Sequence, residues 1–355
     1  MTAKMALNNE KTCGLKSLAG LSLTEIKDYL TFLPPFRSGQ IYNWILMGAD
    51  NFDQMTDIPL ILRNELKEQF SIYSSYVETC HEDSANKKII LSLYDGLKIE
   101  AVLLCDKNNR FTACISTQAG CPCGCVFCKT GSTGFKRNLE SYEIVEQFLH
   151  LLFFSKNKYE YLIDNIVVMG MGEPLLNLIN LKKALEIIND KKGINFSRRR
   201  ITVSTCGICE GIIGITNNLP FAKLALSLTT GDEQLRQKLM PVSLQNPLKS
   251  IKQALMLFQQ KGGGRITLEV TLLGGINTRD KDAKSIKQFA KGLDYVINII
   301  PWNPVKSLMF EGLPIRESTQ KETNNFIDIL KSYGLKVTKR QHRGRSIMGA
   351  CGQLG

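Results

Sequence analysis

The sequence predicts an α/β protein built on a parallel sheet, either open or closed into a partial barrel. From residue 111 onward, strand-like and helix-like segments alternate six times, which is typical of consecutive β/α units. A helical region and a predicted hairpin precede this repeat. The 355 residues provide ample core for one large domain with an appendage, or for two domains.

The composition indicates a folded chain. Hydrophobic residues make up 43% and charged residues 22% of the sequence, which excludes wholesale disorder. Apolar stretches are interrupted before the roughly 20 residues needed to cross a bilayer, so no membrane protein is expected. The start, MTAKMALNNEK, lacks the apolar core of a secretion signal, and this predicts a cytosolic location.

Three short helices are predicted in the first part of the chain. Ser22 and Glu25 have the spacing of a capping box. Ser38 is a candidate cap for the second helix, and Pro59 suits the first turn of the third. We therefore predict a small helical accessory domain over residues 1–80.

After this region the pattern changes to strands. Two strand-like runs flank Asp95-Gly96, a strong signal for a β-hairpin, and we assign 81–110 to a hairpin extension. The six β/α repeats form a predicted core over 111–340, where ligands are expected at the carboxyl ends of the strands. A Gly-rich, basic tail over 341–355 follows one more strand.

The charge balance points to a polyanionic partner. Lys and Arg number 45 against 33 Asp and Glu, a formal net charge of +12 with a pI near 9.1. Charge runs are usually solvated faces. Three of them nevertheless lie next to segments that are candidates for a functional site: after a cluster of cysteines, before a predicted strand and before Cys351. A phosphate-contacting surface requires such a placement. The three runs are Lys129, Lys136 and Arg137; Arg198, Arg199 and Arg200; and Lys336, Lys339, Arg340, Arg343 and Arg345.

The cysteines carry the most specific signal. There are eleven of them and three His, and an odd number in a reducing compartment argues against a disulfide framework. Cys121, Cys125 and Cys128 form a C-x3-C-x2-C triad in a loop after a predicted strand. Three thiolates can hold three irons of a four-iron cluster and leave the fourth iron for a small-molecule chelator. The alternative is a zinc site, for which Cys123 offers a crowded fourth thiolate.

At this triad the sequence resembles the radical S-adenosylmethionine (SAM) superfamily, and the surrounding motifs resemble its RlmN/Cfr family of RNA adenosine methyltransferases. The similarity covers nearly the whole chain and implies a radical-SAM partial (β/α)6 barrel with a helical N-terminal domain. The motifs that carry it are PPFRSGQIYNWI (34–45), FDQMTDIP (52–59), CISTQAGCPCGCVFCKTGSTGFKRNL (114–139), VVMGMGEPLLN (167–177), INIIPWNP (297–304) and ACGQL (350–354).

The resemblance implies a [4Fe-4S] cluster held by the triad and two SAM molecules per turnover. It also implies which residues contact SAM, although each alone would more often be a turn or cap residue. Many members have His where this chain has Thr229; a backbone contact would survive that change and an imidazole role would not. The implied SAM contacts are Gly172, Glu173, Ser204, Ser227, Leu228, Thr229 and Asn303.

Three further residues are implied to act directly in the reaction. Cys351 would be methylated by one SAM and carry the transferred carbon, and Cys114 would form a transient disulfide with it that releases the product. The basic tail is expected to favour a thiolate. Glu100 interrupts an apolar strand-like run; such a carboxylate usually faces solvent, whereas the resemblance implies a proton acceptor. The role of Cys123 is left open. The remaining cysteines are expected to be packing residues: Cys13, Cys80, Cys105, Cys206 and Cys209.

The implied function is methylation of an adenine carbon in structured RNA. A carbon such as C2 is not nucleophilic, so a radical route is needed, and the target base must be unstacked to reach the site. C2 methylation of 23S ribosomal RNA is the first prediction, with an anticodon-loop adenosine of transfer RNA as a further candidate. C8 methylation of 23S ribosomal RNA, which would confer antibiotic resistance, is the alternative.

The resemblance also implies an external one-electron reductant of the flavodoxin or ferredoxin type, and we expect a monomer. Two other classes of function remain open at this point. One is a radical SAM enzyme acting on peptides or metabolites, with the positive charge incidental. The other is a zinc-dependent nucleic-acid-binding module without catalysis.

Overall fold

The computed structural model describes residues 15–83, 85–159, 163–217, 222–341 and 343–355. Its N-terminal part packs three helices beside a short parallel strand pair, in agreement with the three predicted helices. In chain order the elements are β1 (Lys16–Ser17), α1 (Leu23–Tyr29), α2 (Pro35–Met47), α3 (Leu60–Gln69) and β2 (Phe70–Ser71).

Local sequence signals explain where these helices begin. The capping box at Ser22 and Glu25 is present, with both reciprocal hydrogen bonds. Ser38 as a cap is wrong, because it lies inside α2, which begins at Pro35; a proline ring already has the φ that a first helical turn requires. Pro59 lies one position before α3 rather than within its first turn.

The rest of the chain is organised around one large sheet. The remaining elements, in chain order, are β3 (Tyr76–Glu82), β4 (Lys87–Ser92), β5 (Lys98–Cys105), β6 (Phe111–Cys114), β7 (Gln118–Gly120), α4 (Lys129–Ser132), β8 (Phe135–Asn138), α5 (Ser141–Tyr159), β9 (Asn165–Val168), α6 (Leu178–Asn189), β10 (Ile201–Thr205), α7 (Cys209–Asn217), β11 (Lys223–Ser227), α8 (Glu233–Leu239), α9 (Leu248–Gln260), β12 (Ile266–Leu272), α10 (Asp280–Ala290), β13 (Tyr295–Pro301), β14 (Met309–Phe310), β15 (Leu313–Pro314), α11 (Gln320–Ser332) and β16 (Val337–Lys339).

Within the described residues the sheet has ten strands, in the order β16-β13-β12-β11-β10-β9-β6-β5-β4-β3. From β6 to β16 all neighbours are parallel, so each β/α unit places its strand beside the previous one. Strands β5, β4 and β3 extend the β6 edge in antiparallel fashion. The predicted α/β barrel with a hairpin extension is therefore confirmed, and β3 is a strand that the sequence patterns did not reveal.

Alternate side chains of the parallel strands are fully buried on one face of the sheet. Ile297 and Ile299 of β13 are fully buried, as are Leu268 and Val270 of β12. The predicted domain boundary near residue 80 falls inside β3, and the division into domains remains a prediction. No helix in the described part of the chain combines the length and apolar character that a bilayer span requires.

Candidate active site at the carboxyl ends of the strands

The cysteine triad lies in the loop between β7 and α4. Strands β7 and β8 pair and close this loop at its base, where a side chain on Gly120 would lie 1.8 Å from the Gly134 carbonyl oxygen. The amide of Cys121 donates to that same oxygen, and the amide of Cys128 donates to the Cys125 carbonyl. The backbone therefore turns the loop around its own cysteines, which requires glycine at position 120.

The three triad thiols are half-buried and lie close enough to repel one another as thiolates. Burial raises the pKa of the Cys125 and Cys128 thiols, and the neighbouring sulfurs, that of Cys121 included, raise both further. A set of thiols that resists becoming anionic by itself is suited to a cationic group that compensates the charge. The triad is not among the donor groups packed within single-ion distance in the described part of the chain. Donor chemistry and spacing thus fit a group larger than one ion, as a four-iron cluster is.

The loop after β9 holds Gly172 and Glu173. Gly172 has φ +98°, and a Cβ there would lie 2.5 Å from the Gln118 side chain, so glycine is required. The Glu173 carboxylate accepts hydrogen bonds from the amides of Leu175 (3.0 Å) and Cys206 (2.7 Å). Burial raises the pKa of Glu173, although these hydrogen bonds act in the opposite direction.

The predicted SAM-contacting residues on β10 and β11 lie side by side. The hydroxyl oxygens of Ser204 and Ser227 are 3.3 Å apart; Ser227 is the last residue of β11, and Ser204 is the last but one of β10. Leu228 follows, fully buried, with its carbonyl accepting from the Arg236 guanidinium. The structure therefore brings together Ser204, Ser227 and Leu228 from separate β/α units.

Thr229 is the position that departs from the family pattern. Its φ is +61°, a left-handed conformation that is rare for a β-branched residue. Its buried hydroxyl has no hydrogen-bond partner within the described structure, and its carbonyl accepts from the Asn277 amide (2.9 Å). A buried, unpartnered hydroxyl and a strained backbone at the rim fit a site that receives a polar group.

The C-terminal tail lies against the cysteine loop. The Lys129 amide donates to the Gly352 carbonyl (2.9 Å), and the Thr130 hydroxyl donates to the Leu354 carbonyl (2.5 Å). Asn303, predicted from PWNP, donates from its side-chain amide to the Cys351 carbonyl (3.0 Å). These three hydrogen bonds fix the segment that carries Cys351 at the same rim as the triad.

Cys114 ends β6, and its thiol lies near enough to that of Cys351 for the two sulfurs to interact electrostatically. Burial and, to a smaller extent, the Cys351 sulfur raise the pKa of Cys114 to about 12, although the Arg340 guanidinium acts in the opposite direction. Burial also raises the pKa of Cys351, again against the effect of Arg340. Arg340 thus acts on both thiols in the direction expected of the basic tail, but loss of hydration has the larger effect and keeps their pKa raised.

Glu100 lies in the middle of β5 and is buried, so a solvent-facing carboxylate is excluded. One of its oxygens is 3.3 Å from the Lys88 ammonium on β4, and the other accepts from the Gly355 amide at 3.3 Å. The ion pair and the tail contact place this carboxylate beside the end of the Cys351 segment.

Sequence reasoning missed two charged residues at the barrel interior as site residues. Glu269, in the middle of β12, lies 3.4 Å from Arg340 and accepts from the Ser204 hydroxyl at 3.4 Å. It interrupts the apolar run RITLEVTLL, the same signal that identified Glu100. Arg340 was predicted only as part of a phosphate-contacting run, yet it faces the two thiols Cys114 and Cys351.

Arg236 on α8 carried no sequence signal. It is fully buried, and its guanidinium donates to the carbonyls of Cys206, Ser227 and Leu228 and to the Ser243 hydroxyl. One side chain thus ties together the segments that follow β10 and β11. Helical position alone does not distinguish such a buried cation from a solvated one.

A cavity of about 410 Å³ adjoins Cys351. Thr112, Val167 and Asn298 from three parallel strands line it, together with Arg340. Cys351 therefore has open space inside the barrel, which a residue that carries a reacting group requires.

The basic runs are used partly within the chain. Arg137 forms ion pairs with Asp95 (2.6 Å) and the buried Glu143 (2.8 Å), and Arg345 pairs with Glu317 (2.6 Å). The run Arg198–Arg200 contains no buried residue. Of the three predicted phosphate-contacting runs, the one before β10 is thus the most exposed to a partner.

All cysteines in the described part of the chain are free, so the disulfide between Cys114 and Cys351 stays a prediction. Cys13 lies outside the described residues. Cys80, Cys105 and Cys209 are half-buried, whereas Cys206 is buried with its sulfur 3.4 Å from that of Cys123.

Comparison with known proteins now identifies the family. Residues 115–286 match the model of the radical SAM superfamily, and residues 16–72 match that of the ribosomal RNA large subunit methyltransferase N-terminal domain. A relative from Treponema denticola, named "Probable dual-specificity RNA methyltransferase RlmN", is 47% identical over 340 residues, which cover 96% of this chain and 95% of the relative. The chain belongs to the RlmN family of radical SAM enzymes.

Other RlmN relatives agree with this assignment. The protein of that name from Thermus thermophilus is 37% identical over 93% of both chains. A radical SAM methyltransferase from Sphaerobacter thermophilus has the same fold, with a TM-score of 0.90 at 33% identity over 96% of this chain and 99% of the other. The predicted family, fold and enzyme class are confirmed, and a non-catalytic zinc module is rejected. Membership of the radical SAM superfamily brings with it a [4Fe-4S] cluster and SAM.

Proposed function

We propose that this enzyme methylates C2 of an adenosine in 23S ribosomal RNA, and also an anticodon-loop adenosine of transfer RNA. The RlmN relatives are named dual-specificity RNA methyltransferases, which supports an RNA substrate and two kinds of target. The observation that carries the proposal is the tail: three hydrogen bonds hold Cys351 at the rim beside the cysteine triad, with the Cys114 thiol near that of Cys351.

In this proposal Cys121, Cys125 and Cys128 hold the cluster through three irons. Gly172, Glu173, Ser204, Ser227, Leu228, Thr229 and Asn303 form the surface that receives SAM. Supporting this, the segments after β9, β10 and β11 meet at one rim, where the buried Thr229 hydroxyl lacks a partner in the described structure. When bound, the cluster and SAM supply a one-electron route to a carbon that cannot act as a nucleophile.

Cys351 and Cys114 act one after the other. Cys351 carries the methyl carbon to the base, from a position that adjoins the 410 Å³ cavity. The Cys114 thiolate then attacks the Cys351 sulfur, forming the S–S bond while the bond from that sulfur to the transferred carbon breaks. The carbon keeps the electron pair of the broken bond and takes up a proton, which completes the methyl group. Arg340 favours the thiolate form of both thiols, and Glu269 holds Arg340 in place.

Glu100 is the proposed acceptor of the proton that leaves the adenine carbon. It is buried, and Lys88 is 3.3 Å away, so the carboxylate is held in one orientation and its charge is compensated. Its contact with the Gly355 amide places it next to the Cys351 segment.

The N-terminal helices and the exposed run Arg198–Arg200 are proposed to contact folded RNA through shape and phosphate charge. We also propose that the enzyme receives electrons from an external one-electron reductant of the flavodoxin or ferredoxin type. The enzyme acts as a monomer and is located in the cytoplasm. The net charge of +12 supports a polyanionic substrate over a peptide or metabolite.

Mass mapping of RNA treated with the reconstituted enzyme tests the proposal. We expect 2-methyladenosine in 23S ribosomal RNA and in transfer RNA, and none with Cys351→Ala. A product that contains only 8-methyladenosine contradicts it and supports the alternative of C8 methylation. Turnover of a small substrate by Cys351→Ala would support a non-RNA enzyme instead.

A further inference from the structure

Two buried thiols near the triad have no role in the proposed reaction. Cys123 lies between the cluster ligands Cys121 and Cys125, and Cys206 directly follows β10. Their sulfur atoms are 3.4 Å apart, and both side chains are nearly inaccessible to solvent. Two sulfur donors from segments far apart in the chain therefore meet in one buried position.

A third donor completes a compact group. One carboxylate oxygen of Glu173 and the sulfurs of Cys123 and Cys206 all lie within 4.8 Å of one another, and all three residues are buried. The Glu173 carboxylate accepts from two backbone amides, and no ion pair is found for it among the described residues. A buried carboxylate of this kind retains lone pairs that a cation can use.

The donor set selects a class of cation. Two thiolates and one carboxylate suit borderline-soft ions such as Zn²⁺ rather than Mg²⁺ or Ca²⁺, which prefer oxygen ligands. A Zn–S bond of about 2.3 Å in a tetrahedron places two sulfurs about 3.8 Å apart. The observed 3.4 Å between Cys123 and Cys206 is close to that separation.

Cys121 is available as the fourth ligand. Its thiol interacts electrostatically with that of Cys123 and therefore lies near the group, although it is not among the three donors within 4.8 Å of one another. It can complete a tetrahedron only while it does not bind iron, because one thiolate cannot serve both sites. The second site and the cluster therefore compete for Cys121.

We propose that Cys123, Cys206 and Glu173, completed by Cys121, form a site for a thiophilic divalent cation of the Zn²⁺ class in protein that lacks its iron–sulfur cluster. The cation fastens the cysteine loop to the end of β10 until the cluster displaces it. It also occupies Glu173, and a block of SAM binding follows from this; that consequence alone rests on the proposed function.

The test separates this site from the triad. Full-length protein with Cys125→Ser and Cys128→Ser is freed of metal by a chelator under anaerobic, reducing conditions and titrated with Co²⁺. We expect one Co²⁺ per chain, with near-ultraviolet thiolate charge-transfer bands and visible bands of tetrahedral intensity. Adding Cys123→Ser or Cys206→Ser weakens binding at least about tenfold, and adding Cys209→Ser, on the neighbouring helix, leaves it unchanged.

Two results overturn the proposal: absence of thiolate-to-cobalt bands when Cys125 and Cys128 are replaced, or equal Co²⁺ affinity of the Cys123→Ser and Cys209→Ser proteins. A second measurement avoids any effect of the double substitution on folding. Zn²⁺ should raise the thermal unfolding midpoint of the otherwise unsubstituted, cluster-free chain more than that of its Cys123→Ser variant. Equal shifts in the two proteins also contradict the site. None of these measurements uses SAM, RNA or methyl transfer, so their outcome is independent of the proposed function.

Discussion

The rim of the barrel holds two groups of thiols that are positioned in different ways. The triad Cys121, Cys125 and Cys128 lies in one short loop, which β7 and β8 close at its base. Cys114 and Cys351 come from the first parallel strand and the C-terminal tail, and contacts between residues far apart in the sequence hold the tail in place. The contact between Thr130 and Leu354, for example, joins residues 224 positions apart.

Because the two groups are held by different contacts, we expect that either group can lose its function while the other keeps its own. Loss of a triad thiol removes a ligand from a loop whose backbone remains closed, so the expected defect is in metal content. Loss of a tail contact leaves the loop intact and displaces the carrier thiol, so the expected defect is in methyl transfer alone. The experiments below separate these defects.

The largest expected effect comes from removing one thiol of each group. Cys125→Ala and Cys351→Ala should both reduce methylation to background. Cys125→Ala should also lose iron and sulfide, because two thiolates do not hold the cluster, whereas Cys351→Ala should retain both. Iron and sulfide analysis of reconstituted protein checks this, with Cys209→Ala as the control that keeps metal and activity. An iron-free Cys351→Ala protein would show that the two groups are not independent.

Removing the proposed proton acceptor should have the next largest effect. Glu100→Gln keeps the size of the side chain and should slow methylation by roughly 10²- to 10⁴-fold, the usual contribution of a positioned base, without loss of iron. Glu78→Gln, on β3 two strands away and paired with Lys98, is the matched control and should be near normal. Product formation is followed by mass spectrometry. Normal methylation by Glu100→Gln would exclude its role as the base.

The thiol pair should make product release depend on pH. Because burial raises the pKa of Cys114 to about 12, its thiolate fraction grows roughly tenfold per pH unit between about pH 7 and pH 9. Decay of the protein–RNA adduct should accelerate by that factor. Arg340→Leu removes the cation that favours the thiolate and should slow the decay at each pH. A decay rate that does not change with pH argues against Cys114 as the resolving thiol.

The smallest effect is expected from loosening the tail. Thr130→Val removes the hydroxyl that donates to the Leu354 carbonyl, a hydrogen bond with a net contribution of about 1 kcal/mol. Methylation should slow roughly fivefold and tail amides should exchange faster, while iron content stays the same. In the control Thr133→Val, the lost hydrogen bond goes to the Thr130 carbonyl and does not reach the tail. Equal tail exchange in both variants would mean that this contact does not hold the tail.

Features that depend on residues close together in the chain could be predicted from the amino-acid sequence. Strict spacing of Cys121, Cys125 and Cys128 identified the cluster loop, because all three ligands of one loop lie within a few residues. Apolar runs bounded by turn signals predicted the parallel strands, and the capping box predicted the start of α1. A charged residue inside an apolar run marked Glu100, and the same signal was available for Glu269.

Features that depend on contacts between segments far apart in the chain could be recognised only in the folded structure. No local sequence pattern predicts the hydrogen bonds from Arg236 to the segments at the strand ends. The same holds for the ion pair between Arg340 and Glu269 and for the contact between the Cys123 and Cys206 sulfurs. The folded structure also shows that the thiols of Cys351 and Cys114 lie near each other. Burial raises the pKa of both thiols by more than Arg340 lowers it. The physical reason is that loss of hydration and contact distance are properties of the packed fold, whereas ligand spacing is already a property of the chain.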